Sequence, residues 1–544
     1  MKRLLAYKNS LIYIIPVIAA VVVRKLLYIE WLSSPFRYYH TIFGLDMRKF
    51  LVWGEQLYNG HSSFRIYKFF IAILYAFFGK SALPETIVFF QMILGVMSVF
   101  LTVYIFRHLF RSKTGALIAG LFSALYAPLM VYETHILKES LFLFLSLLSF
   151  SMFLAARKKH FNNLTAYLAG LTAVLPFFLR VSGLLLMSLL YLWMILYCYR
   201  KKRFIKPLLF SMLGTLTIVS IIFIYNISHG FSIVQYFTPN TPYLLGVGST
   251  PNAQNLSFHV TGHGKTQVVS HSLFTYLRTY ASKLEYIFTA YEQPNNINYY
   301  FICSKLPLLK YYIGPFFLIP ISVSGFILLL FRYRKNRRVI LLFIYMISFI
   351  VPMLLFLPLA RYKIALTPIF AIFAAWWIIY MVKLFKLGDK QRMVAPLLIC
   401  IAAFLFSGYT CRNNPERRSD QSAYGLAASY IPDKLMLAGR YQQALEMLEK
   451  YYFENPENPY IMLNYVSSLM GSGRVADAEN VLLHTQHIRD EKLLGRYFYE
   501  LGESTYMLNN PAQALKYYNT AITYPISDQR RKLAVARIKL ISNK

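Results

Sequence analysis

The sequence predicts an all-α protein, in which a polytopic helical membrane core of about eleven spans precedes a C-terminal helical-repeat domain. Composition is the first observation behind this prediction. Hydrophobic residues make up 57% of the 544 residues and charged residues 15%. In soluble domains about 45–50% of the residues are apolar and about 25% are charged. The second observation is a series of long apolar runs before residue 408, and the third is a motif that recurs after it.

The apolar runs are long enough to cross a membrane, because a helix needs roughly 20 residues to span the hydrocarbon core. The clearest runs cover residues 11–23, 87–106, 140–155, 207–225, 340–359 and 364–381. The first run follows a basic start, as a signal peptide does. No small-residue cleavage site lies near Arg24 and Lys25, so we expect this run to be retained as the first span.

Basic clusters recur between alternate spans and predict the orientation of the chain, since loops rich in Lys and Arg stay in the cytoplasm. The clusters lie at residues 2–3, 107–113, 157–159, 200–206, 332–338 and 383–392. Residues 1–408 contain 40 Lys and Arg and 9 Asp and Glu, so they carry most of the net charge of +34 of the whole chain. The charge therefore follows membrane topology, and we expect a multi-pass protein of the cell membrane, of the bacterial inner type, that does not bind nucleic acid.

The acidic residues of the core predict that any chemistry takes place on the outer side. Among the nine, only Asp389 falls on the expected cytoplasmic side. The others are Glu30, Asp46, Glu55, Glu85, Glu133, Glu139, Glu285 and Glu292. An outer loop at about 226–306 is long enough to be functional, with a disordered hinge as the alternative. Cys303 and Cys411 either meet on this side or stay free thiols.

The tail at residues 409–544 repeats a helix-pair motif. Its turns begin at Gly439, Gly473 and Asn509, at spacings of 34 and 36 residues, and each is followed by an alanine five residues later. The pattern resembles the tetratricopeptide family over about residues 420–540. We expect the array to lie on the outer side, where it either binds a protein or glycan acceptor or only caps or dimerises the core.

Asp46 is the first candidate for a catalytic role. It lies in the first stretch outside the membrane, where a carboxylate could accept a proton or hold a divalent metal ion beside a lipid-borne substrate. The alternative is an ordinary solvated loop acid.

A second group of candidates surrounds residues 133–139. One His, His135, stands between Glu133 and Glu139 with no second His four residues away, so the spacing of a helical zinc site is absent. Glu139 opens a long apolar helix, which makes it either a functional acid or an acid that suits a helix N-terminus.

Basic residues at the outer face form the third group: Arg180, Arg361 and Lys363, with Tyr362 between the last two. Basic residues on this side are exceptions to the positive-inside rule, so their presence calls for an explanation. Arginine forms paired, charge-assisted hydrogen bonds to phosphate oxygens, which favours binding of a lipid phosphate. Snorkelling to lipid headgroups is the alternative.

The order of these features resembles the polytopic C-type glycosyltransferases, with protein O-mannosyltransferase-like and aminoarabinose-transferase-like enzymes as the nearest kin. The resemblance covers about residues 40–380. It rests on the first-loop acid, on Tyr126-Ala127-Pro128 leading through Tyr132 to Lys138-Glu139-Ser140, on residues 170–180 and on Ala360-Arg361-Tyr362-Lys363-Ile364. Lys283, Glu292, Asn295 and Asn296 of the outer loop also match the order of the family.

The resemblance implies a membrane-embedded glycosyltransferase core at residues 1–408 that uses a polyprenyl-phosphate-sugar donor among membrane lipids. It implies Asp46 as base or metal-site acid, Glu139 as the second-loop acid and Arg361 as a phosphate ligand. Arg180, Lys283, Glu292, Tyr362 and Lys363 complete the expected substrate site. Two alternatives remain open: a transporter, for which the sequence shows no inverted repeats, and a non-catalytic scaffold that displays the repeat array.

Overall fold

A computed structural model describes residues 2–200, 205–231, 273–295, 297–333, 337–414, 421–485, 488 and 490–543. Within these ranges every regular element is a helix, and the one β-type contact is an isolated bridge between Tyr126 and Ile313. The all-α prediction is confirmed. Residues 232–272 of the predicted outer loop, and Asn296, lie outside the described residues.

Eight helices in the described ranges are long and apolar enough to cross a membrane. They are Ile12–Leu32, Leu83–Phe110, Glu139–Lys158, Ser182–Tyr199, Ile205–Ser228, Pro315–Arg332, Ala360–Lys386 and Lys390–Asn413. Three shorter apolar helices, Ile66–Phe78, Lys113–Leu125 and Val339–Leu355, bring the apolar segments to the predicted number of about eleven. The polytopic class is therefore confirmed.

Shorter elements connect these helices. They are the helices Asp46–Tyr58, Ala127–Glu133, Asn163–Ala173, Leu273–Phe288 and Tyr299–Lys305 and the 3-10 turn Pro307–Tyr311. Local capping explains where some of them start. The Asn162 side chain accepts a hydrogen bond from the amide of Thr165, and the Ser112 hydroxyl accepts one from that of Gly115. Each bond satisfies an amide that the first helical turn leaves without a partner.

Glycine allows the helices Asn163–Ala173 and Ile205–Ser228 to touch through their backbones. Gly170 of one helix lies against the carbonyl of Ser211, and Gly214 of the other lies against the carbonyl of Tyr167. A Cβ atom at either glycine would collide with that carbonyl. Small residues at such crossings let helices approach closely where no hydrophobic effect drives them together. The segment that ends at Arg180 is thereby fixed to the helix Ile205–Ser228.

The chain forms two compact units. The first comprises Met1–Leu32 and Lys49–Arg418, and the second comprises Ser33–Arg48 and Ser419–Lys544. No disulfide bond joins any of the four cysteines, all of which lie in the described ranges.

The second unit contains the repeat array. Its helices are Gln421–Leu437, Tyr441–Glu454, Pro459–Gly471, Val475–Leu483, Glu491–Met507, Pro511–Thr523 and Asp528–Ser542. A 3-10 helix, Pro35–Thr41, belongs to the same unit. The ring of its buried Phe36 meets the Tyr424 ring edge-on, with 5.3 Å between ring centroids. The first loop therefore packs on the first repeat helix, which no sequence pattern indicated.

Candidate active site

The centre of the candidate site is a buried ion pair between Glu139 and Arg180 of the first unit. Their side chains are 2% and 8% exposed, so both charges lie inside the protein. Glu139 is the first residue of its apolar helix. The position of Arg180 is fixed by backbone hydrogen bonds from its amide to Pro176 and from Gly183 to its carbonyl. Because Arg180 is buried against a carboxylate, the alternative of a snorkelling arginine does not describe it.

Tyr362 brings a second arginine to this pair. The guanidinium carbon of Arg180 lies 4.7 Å from the centroid of the Tyr362 ring, and that of Arg361 lies 4.9 Å from it. Arg361 also donates a hydrogen bond of 3.0 Å to the Tyr362 hydroxyl. One aromatic ring thus lies against two guanidinium groups, of which that of Arg180 pairs with the Glu139 carboxylate. The local excess of positive charge favours an anionic ligand.

Lys138 adds a third cation that the sequence did not single out as a site residue. Within the described residues its ammonium makes one hydrogen bond, of 3.3 Å, to the carbonyl of Leu179. Burial, together with the positive charges of Arg180 and Arg361, lowers the pKa of Lys138 to about 7, against the opposing effect of Glu139. Its place directly before Glu139 was the only available signal.

A second buried ion pair joins Lys363 and Glu292, with 3.2 Å between Nζ and Oε1. Lys363 also donates to the carbonyls of Thr289, at 2.7 Å, and Tyr291, at 3.2 Å. The Tyr126 hydroxyl hydrogen-bonds Glu292. Burial raises the pKa of Glu292, although Lys363 opposes the shift. Because three partners already occupy the Lys363 ammonium, its contacts hold the segment that carries Glu292.

Tyr132 lies within electrostatic reach of both ion pairs. The sequence did not indicate it as a site residue. Burial raises the pKa of the Tyr132 phenol well above its ordinary value. Glu292 and Glu139 raise it further, whereas Arg361 and Arg180 lower it. All four side chains are therefore close enough to act electrostatically on one hydroxyl, which makes the two ion pairs parts of one polar cluster.

Three atoms of the two ion pairs are buried without a hydrogen-bond partner among the described residues: Glu139 Oε2, Arg180 Nε and Glu292 Oε2. Buried polar atoms in proteins are almost always paired, so exceptions call for an explanation such as a ligand. Two acceptors and one donor are thus available to a bound molecule.

Two predicted residues have other surroundings. The Lys283 ammonium donates to the carbonyl of Leu354 at 2.9 Å and lies 5.6 Å from the centroid of the Tyr280 ring. Asp46 belongs to the second unit and is the first residue of the helix Asp46–Tyr58. Their proposed roles stay predictions.

The part of the chain that the structure describes contains no evident set of ligands for a divalent metal ion. No group of three or more His, Cys, Asp or Glu side chains there is arranged to hold an ion, although hard cations prefer several oxygen ligands. The metal at Asp46 stays a prediction, and no step of the reaction proposed below depends on it.

Residues 435–491 match the model of the tetratricopeptide repeat, which confirms the family predicted for the tail. No curated protein sequence gives a significant match.

Solved structures similar to this chain include two of oligosaccharyltransferases from Archaeoglobus fulgidus. One is of AglB in complex with an inhibitory peptide and a dolichol-phosphate, with 13% identity, a TM-score of 0.41 and coverage of 77% of this chain and 59% of that one. The other, in the apo form, has 14% identity, a TM-score of 0.39 and coverage of 74% and 55%. This chain spans less than two thirds of either structure, and likeness at this distance assigns it no residue roles.

Proposed function

We propose that this chain is an integral membrane glycosyltransferase, which moves a sugar from a polyprenyl-phosphate donor to an acceptor on the outer side of the membrane. The observation that carries the proposal is the pair of guanidinium groups that Arg180 and Arg361 place on the Tyr362 ring. Charged groups buried among apolar helices are costly, and they usually mark functional sites. A phosphate whose lipid tail stays in the bilayer matches both the charge and the setting.

The reaction follows from the charges. An acceptor hydroxyl attacks the anomeric carbon of the sugar, the bond from that carbon to the phosphate oxygen breaks, and its electron pair leaves with the phosphate. Arg180, Arg361 and Lys138 stabilise the charge that develops on the leaving phosphate. Glu139 orients Arg180 through their ion pair. In this proposal Asp46 accepts the hydroxyl proton, and the single displacement inverts the configuration of the sugar.

The repeat array would recruit the acceptor, a protein or a glycan, on the outer side. Tetratricopeptide arrays stack helix pairs into extended surfaces suited to such binding. The orientation follows from the basic clusters of the sequence, which place an odd number of spans before the tail.

Reconstitution tests the function and its side together. Purified protein in lipid vesicles receives polyprenyl-phosphate donors that carry a radiolabelled sugar, with a mixture of peptide and glycan acceptors supplied on one side only. We expect label on the acceptor, and free polyprenyl phosphate, only when the acceptor faces the repeat domain. A transporter would instead move label across the membrane with its bond to phosphate intact. Failure of the protein to bind or cleave any of these donors would overturn the proposal.

Lys138 makes donor binding depend on pH. Its ammonium is half charged at about pH 7 in the free protein, and a bound phosphate favours the charged form. Affinity for a phosphodiester donor, whose own charge is constant near neutrality, should therefore be highest below pH 7. It should fall as pH rises above 7, by at most about tenfold per unit.

The measurement is a titration of donor affinity by calorimetry from pH 6 to 9. Lys138→Met should give weaker affinity that does not change with pH. The matched control is Lys310→Met at an exposed lysine of the turn Pro307–Tyr311, which should keep the wild-type profile. An unchanged profile for Lys138→Met would remove this lysine from the phosphate site.

A further inference from the structure

A third buried ion pair, between Arg24 and Glu133, lies outside the polar cluster of the candidate site. Two parallel hydrogen bonds join them, Nε to Oε2 at 2.7 Å and Nη2 to Oε1 at 2.8 Å. The side chains are 2% and 0% exposed. Arg24 also donates to the carbonyl of Ala124 at 3.2 Å. Every contact of this pair is therefore made within the protein, and none of the proposed catalytic steps uses it.

The helix Leu83–Phe110 packs directly on this pair. Gly95 leaves no room for a side chain, because a Cβ atom there would collide with the Glu133 carboxylate. Four residues earlier, the Gln91 amide nitrogen donates to the carbonyl of Glu133 at 3.0 Å and to that of His135 at 2.7 Å. The Tyr67 hydroxyl donates to the Gln91 amide oxygen at 2.9 Å. Both ends of the Gln91 amide are thus fixed.

The backbone that these contacts hold is the turn at residues 133–138. Tyr132 directly precedes the turn, Lys138 is its last residue, and Glu139 directly follows it. Thr134 donates from the turn to the carbonyl of Val131 in the preceding helix at 2.8 Å. The turn therefore sets the distance between the Tyr132 phenol, on which Arg180 acts electrostatically, and the Glu139 carboxylate, which pairs with Arg180.

Stability alone does not account for such a pair. Replacing a buried ion pair with apolar residues of similar volume is often neutral or stabilising, whereas removing one partner is strongly destabilising. A pair of this kind is best explained by the geometry that it fixes, since two parallel hydrogen bonds hold both partners in one orientation.

We propose that Arg24, Glu133 and Gln91 are positioning residues, which hold the turn at 133–138 so that Glu139 pairs with Arg180. The inference rests on the proposed function for its catalytic consequence, but the geometry that it predicts can be observed independently of any reaction. The pair acts through the turn and touches no substrate.

The experiment compares apolar replacements in the full chain. Arg24→Met and Glu133→Leu each leave a buried charge without its partner, so each should lower thermal stability sharply. The double variant should recover wild-type stability, yet lose about tenfold or more in kcat for sugar transfer with KM changed much less. The matched control is Ser322→Ala, which removes a buried hydroxyl that donates to the carbonyl of Phe370 at 2.7 Å and should keep wild-type kcat.

Gln91→Leu provides a second test that introduces no unpaired charge. It should lower kcat in the same way, and a cryo-electron microscopy structure of this variant should show the Glu139–Arg180 pair broken. Wild-type kcat in the double variant or in Gln91→Leu, or an intact Glu139–Arg180 pair in the Gln91→Leu structure, would overturn the inference. If the wild-type protein transfers no sugar, the proposed function fails first, and the structure of Gln91→Leu still decides whether the turn positions Glu139.

Discussion

Arg361→Ala should weaken binding of a polyprenyl-phosphate donor by about 10²-fold or more, whereas Arg361→Lys should cost about tenfold. Alanine removes the charge and leaves the phosphate opposite an incomplete set of cations. Lysine keeps a point charge but loses the planar group that faces the Tyr362 ring and binds two oxygens at once. Equilibrium binding of a short-chain donor to the purified variants measures both effects.

Arg332→Ala is the matched control for this series. Its guanidinium also faces a tyrosine, with 5.3 Å from its carbon to the Tyr380 ring centroid, but the side chain is exposed. Donor affinity should not change in this variant. Equal affinity of wild type, Arg361→Ala and Arg361→Lys would show that the Tyr362 ring holds Arg361 for structural reasons alone.

The sequence predicted the parts of this fold that depend on local periodicity. Apolar runs of about 20 residues can form little besides membrane helices, and a helix-pair motif with a period near 34 residues indicates stacked repeats. Ends of helices were less predictable. The run expected at 340–359 ends as a helix at Leu355, because Pro358 and the following turn take residues 356–359 out of the helix.

The candidate site was predictable as a set of residue types and not as a set of contacts. Charged residues in apolar surroundings identified Glu139, Arg180 and Arg361, since each needs a reason to be there. Nothing local reveals that Glu139 pairs with a residue 41 positions later. Lys138 and Tyr132 were missed for the same reason: their importance comes from the charges that the fold brings to them.

The first loop belongs to a compact unit whose other residues are distant in sequence. Residues 33–48 looked like a short connection on the outer side, yet they form one compact unit with a domain that starts almost 400 positions later. The aromatic residues Phe36 and Tyr39 are buried there. Deleting the repeats would remove the Tyr424 ring that covers Phe36, so a truncated chain is a poor test of whether the membrane core acts alone.

Asp46→Asn should lower the rate of sugar transfer on the order of 10²-fold or more while donor binding stays within about twofold of wild type. Asparagine removes the negative charge and the basicity of the carboxylate. It keeps the size of the side chain, so the helix Asp46–Tyr58, which Asp46 begins, loses only the favourable interaction of a negative charge with its N-terminus. The substitution therefore separates a catalytic carboxylate from one that only stabilises a helix.

Transfer rates and melting temperatures of purified Asp46→Asn and Asp46→Glu supply the measurement. Glu should retain part of the activity, because it keeps the carboxylate at a changed distance. The matched control is Glu55→Gln in the same helix, where Glu55 pairs at 2.7 Å with an exposed Lys80. Exposed surface pairs contribute little to stability, so this control should keep both rate and stability. Near-normal transfer by Asp46→Asn would leave Asp46 as an acid of the first helical turn and would require the base to come from another carboxylate.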